Sequence, residues 1–133
     1  MKRIDVSIDK GAVLDDVKRL SANAAQQRGD ALHVATEDNR EVLDVFYTEV
    51  ENEIVLLLPK YAKGGDMGIS FDVPENWDSG LEEGLKRRVK DALLFGVLAK
   101  WYGLAGESVY TDMFVGVMNE IAGVLNKRVK PKR

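Results

Sequence analysis

Apolar residues recur along this chain with two different periods. In KRIDVSI, Ile4, Val6 and Ile8 alternate with polar neighbours, which predicts a short strand. Asp9 follows as an N-cap for a helix from about Gly11, whose Val13, Leu14, Val17, Leu20 and Ala24 share one face. Gly29 supplies its C-terminal stop, and residues 30–36 form a connection. A second helical stripe runs through Leu43, Phe46, Val50, Ile54, Leu57 and Tyr61. Thr36 or Asp38 caps it, Asp38 and Glu41 having capping-box spacing, and Pro59 ends or kinks it. The segment KGGDMG then reads as a glycine-rich loop. Ile69, Phe71 and Val73 alternate in GISFDVP, a second strand closed by Pro74. A lone strand cannot satisfy its backbone, so it pairs with the N-terminal strand or with another chain.

The third helix starts at Asn76 or Asp78. Leu81, Leu85, Val89, Ala92, Phe95, Ala99 and Tyr102 form its main face, and Leu94, Leu98 and Trp101 widen it. An arc that wide predicts a central helix touched on several sides. The last helix, Glu107–Arg128, buries Tyr110, Phe114, Val117, Ile121, Val124 and Leu125. The short GLAG link makes the last two helices an antiparallel hairpin. The expected fold is mainly α: a four-helix domain over residues 1–125 with one or two short strands, followed by a basic extension, 126–133.

Composition narrows the function. The length of 133 residues suits one domain with one core. Zero cysteines exclude disulfides, cysteine zinc sites and a thiol nucleophile. No signal-peptide pattern opens the sequence, and the longest apolar runs are too short to span a bilayer. An intracellular, cytoplasmic chain is the expectation. All 22 acids but only 14 of the 19 bases precede residue 126, so the body carries −8 and the tail +5. An acidic body repels phosphate backbones and argues against a chain-wide duplex-binding surface.

No catalytic constellation emerges. His33 is the only histidine, and a lone imidazole makes a poor metal site. KGGDMG lacks the ending of a phosphate loop and leads into a strand rather than a helix. Seven carboxylates lie between Glu37 and Glu53; Glu49 and Glu53, one turn apart, are a candidate pair for a divalent ion, against the plainer reading of a solvated face. Lys86, Arg87, Arg88 and Lys90 form a basic cluster that helical geometry spreads around the polar side, beside Glu82, Glu83 and Asp91. The expectation is no catalytic residue, no cofactor, no metal and no small-molecule substrate. The tail divides at Pro131. Lys127 and Arg128 complement a helix dipole, while Lys130, Lys132 and Arg133 extend beyond it. Without an interleaved aromatic residue they cannot stack on bases, which leaves weak phosphate contact or docking on an acidic subunit.

The stretches TEDNREVLDVF, ISFDVPENWD, LLFGVLAKWYGLAGE and the terminal KRVKPKR resemble small neck proteins of tailed phages and prophages, of the head-tail connector or head-completion type. The chain departs from that pattern in its extra β-forming segments and longer first connection. The resemblance implies a non-enzymatic adaptor, built into a virion assembled in the cytoplasm, that binds portal-side or tail-side proteins and its own copies. It also implies contacts by exposed termini and by β-addition, which makes Lys127, Arg128, Lys130, Lys132, Arg133, Ile69, Phe71 and Val73 candidate partner contacts. The competing reading is a small helical nucleic-acid-associated or regulatory domain that uses the basic tail.

Overall fold

The computed structural model describes residues 2–28, 35–58, 61–65, 68–103 and 109–127. Strand β1 (Lys2–Val6) leads into helix α1 (Lys10–Arg28); 3-10 turns at Glu37–Asn39 and Ser79–Leu81 lead into α2 (Arg40–Leu57) and into the third helix. Strands β2 (Ala62–Gly65) and β3 (Gly68–Val73) form a hairpin, followed by helices α3 (Glu82–Gly103) and α4 (Val109–Leu125). The chain is mainly helical with a minor β element, as the periodicity predicts.

The caps follow from local chemistry. Asp9 Oδ1 accepts from the Ala12 N–H (3.2 Å) and Asp78 Oδ1 from the Gly80 N–H (3.1 Å), so each helix entry satisfies a donor that would otherwise lack a partner. At α2 the capping partner is Asn39, whose Oδ1 accepts from the Thr36 N–H (3.0 Å), rather than the expected Asp38–Glu41 pair. Leu58 precedes Pro59 and leaves helical geometry with φ −126° and ψ 51°, which ends α2. The expected stop at Gly29 lies outside the described residues.

The sheet corrects the sequence reading twice. It has three antiparallel strands in the order β1-β3-β2, one more than expected, because the start of the presumed glycine loop is β2. Moreover, β3 is the central strand: Phe71 lies opposite Ile4 on one side and Ala62 on the other. Both of its edges are occupied, so it offers no edge to another chain. Ile69, Phe71 and Val73, candidate partner contacts by the resemblance, have their side chains buried in the core of this chain.

Helix α3 is central and packs against α1, α2 and α4. Its Gly96 sits where α2 comes closest: a Cβ there would lie 2.5 Å from Val50 Cγ1 and 2.9 Å from Cγ2. Only a residue without a side chain permits that approach. Helix α4 returns antiparallel to α3, with Tyr110 stacked on Tyr102 (5.3 Å) and Phe95 (6.5 Å) and Arg88 facing Glu120 at the other end. At its far end the Trp77 indole N–H donates to the Val124 carbonyl (2.9 Å), and the Tyr61 hydroxyl donates to Asn126 Oδ1. The end of α4 is thereby tied to the segments on either side of the β2–β3 hairpin.

Two helix faces are rotated from their predicted positions. In α2 the buried residues are Leu43, Tyr47, Val50 and Ile54, while Phe46 is half-buried and Leu57 exposed. In α4 Met118 is buried and Val117 and Val124 only partly so.

Candidate interaction surface

Helices α2 and α4 both lie against α3, but their C-terminal halves do not close on each other. Between them runs a groove of about 200 Å³, lined by Leu57, Leu58, Phe114, Val115, Met118, Asn119 and Ala122. Leu58, Phe114 and Met118 belong to the core and form its floor, whereas Leu57 is 59% and Val115 51% exposed. Leu56, beside it in sequence, is 76% exposed, and Met113 also faces out. The chain leaves helical geometry at Leu58, which is buried, while Leu57 before it stays exposed at the groove.

The lining carries a single polar side chain, the Asn119 carboxamide, and no ionisable group. Such a surface can take up apolar side chains and offer one donor and one acceptor to a backbone. It holds neither a general acid or base nor a nucleophile. It is a candidate contact surface because apolar side chains lie exposed beside an open groove.

The carboxylates singled out in the sequence lie elsewhere and have specific roles. Glu49 and Glu53 converge on the Lys100 ammonium, at 3.4 and 2.7 Å, so a lysine from α3 occupies the position considered for a divalent ion. The Glu53 hydrogen bond, against the opposing effect of burial, holds the Lys100 pKa above its ordinary value. This pair was invisible in the sequence, because Lys100 lies 47 residues from Glu53. Among the described residues no group of three or more His, Cys, Asp or Glu is arranged to hold a metal ion. Glu51 and Asp91 are pushed up by burial, but neither lines the groove.

The basic cluster on α3 is dispersed. Lys86 faces Glu83 (3.9 Å), while Arg88 faces Glu120 (3.6 Å) and donates to the Gly84 carbonyl (3.2 Å). Lys127 is exposed just past the end of α4. The other tail cations, Arg128, Lys130, Lys132 and Arg133, and His33 lie outside the described residues. Among the described residues, no helix is long and apolar enough to cross a membrane. Comparison with protein-family models, curated proteins and solved structures finds no match to this chain.

Proposed function

We propose that this protein is a non-enzymatic assembly component, an adaptor of the head-tail connector or tail-completion type that its sequence resembles. The observation that supports this reading best is the open groove between α2 and α4, with Leu57 and Val115 of its lining left in solvent. The groove fits the apolar face of a helix or loop from a neighbouring structural subunit, the helix-in-groove mode of recognition. An exposed leucine contributes little to the stability of the isolated domain, so these residues have more to gain from an interface.

The test is co-purification with the portal-side and tail-side products of the genes adjoining its own. The wild-type chain is expected to co-elute in a complex. Leu57→Asp and Val115→Asp should abolish co-elution while leaving the melting temperature of the free chain nearly unchanged. A chain that stays strictly monomeric in the presence of those products would overturn the reading.

A further inference from the structure

We propose that β1 is a self-complementary edge through which two copies of this chain join their sheets, independently of what fills the groove. Strand β1 lies at the margin of the sheet, with β3 on one side and no described strand on the other.

The ladder geometry determines which of its backbone groups face outward. The Asp72 N–H donates to the Tyr61 carbonyl (2.8 Å), away from β1. Arg3, directly opposite Asp72, therefore occupies a non-hydrogen-bonded position and turns its own N–H and C=O to the open margin. By the same alternation Asp5, opposite Ser70, does so too, whereas Lys2, Ile4 and Val6 bond inward to β3. Open edges of this kind are templates for further pairing.

The side chains select the partner. Arg3 and Asp5 share the solvent face of β1, 69% and 73% exposed, with Arg3 Nε donating to Asp5 Oδ1 at 2.9 Å. A second β1 can pair antiparallel in three registers that match the outward groups. One sets Arg3 against Arg3 and another Asp5 against Asp5, each bringing like charges together. The third, centred on Ile4, places Arg3 opposite Asp5 of the second copy and Asp5 opposite its Arg3. In that register four backbone hydrogen bonds form at the seam and both ion pairs re-form across it. Charges usually deter edge pairing; their opposite signs at a spacing of two penalise only the wrong registers. The same patch then meets itself about a two-fold axis, as an isologous dimer requires.

Light scattering over a concentration range, combined with amide exchange, tests this. The wild-type chain should dimerise, and exchange at the Arg3 and Asp5 amides should slow as concentration rises. The Ile4 amide, already bonded to β3, should not respond. Arg3→Asp and Asp5→Arg should each weaken the dimer about tenfold. The double variant carrying both should recover to within about threefold of wild type. A chain still monomeric near ~1 mM would overturn the proposal. So would a dimer that leaves the Arg3 and Asp5 amides exchanging freely, or one indifferent to the swaps. The exchange measurement uses the unmodified chain and does not depend on how any variant folds.

Discussion

Helix α2 meets its neighbours in two unlike ways. Toward α1 its N-terminal half is laced by ions: Lys10 and Arg40 lie 3.5 and 4.0 Å from Asp44, and Arg40 and Lys18 lie 3.9 and 3.3 Å from Asp15. Lys18 also reaches Glu37 at 2.6 Å. Toward α4 its C-terminal half presents leucines to an open groove. The ionic seam covers a packed layer. Val13, Leu14 and Val17 are buried behind it, and most of its charges reach water, where such pairs contribute little; Asp44 Oδ1 is the exception, buried without a hydrogen-bond partner. The groove is the reverse, apolar where it meets solvent. The tight-looking boundary is thus held from beneath by its buried layer, whereas the loose one leaves apolar side chains in solvent.

The contrast is broken most strongly by shortening one leucine on each side. Leu14→Ala, in the packed layer beneath the ions, should lose about 2–5 kcal/mol in denaturant unfolding. Leu57→Ala, on the groove rim, should stay within about 0.5 kcal/mol of wild type. Similar losses at the two positions would show that the groove is already closed in solution.

A smaller effect is expected at the α2–α3 contact that both regions share. Gly96→Ala should destabilise by about 1–2 kcal/mol, since overpacking against Val50 outweighs the helix propensity gained. Val50→Ala in the same chain should recover part of that loss, measured as a double-mutant cycle.

The weakest effect belongs to the ions. Lys18 holds the Glu37 carboxyl below its ordinary value, chiefly by their hydrogen bond, and Glu37 in turn raises Lys18. A carboxylate depressed on folding stabilises above its unfolded pKa and loses that contribution as pH falls through the folded value. The raised lysine behaves oppositely, losing its contribution as pH climbs through a folded pKa above 10.5. The pair therefore contributes across the neutral range and fades at both ends. Glu37→Gln should flatten the acid limb of melting temperature against pH, and high salt should shrink the difference between the two chains. An unchanged acid limb would remove Glu37 from the seam.

The fold was largely legible in the sequence because its signals are periodic. Alternation in KRIDV and GISFDV marked two strands, and the wide apolar arc of α3 marked a helix packed on several sides. Strand β2 was not legible, since its Lys-Gly-Gly segment has neither alternation nor propensity and becomes a strand only by bonding to β3. The buried face of α2 departs from helical spacing at its end. In IVLLL helical spacing selects Leu57, but the turn before Pro59 gives the interior position to Leu58. The groove had no sequence signature at all. Whether Val115 and Leu57 are covered depends on how far apart α3 holds two helices that are distant in the chain. The Glu49, Glu53 and Lys100 cluster stayed hidden for the same reason.

The bonds from Trp77 and Tyr61 to the end of α4 also have a mechanical meaning. A pull on the chain beyond Lys127 would not simply fray the last helical turn. It would first load the Trp77–Val124 and Tyr61–Asn126 hydrogen bonds and the buried Leu125 side chain. Tension on the basic terminus would therefore pass to both flanks of the β2–β3 hairpin. A part that must carry load between neighbours gains from an anchorage of that kind.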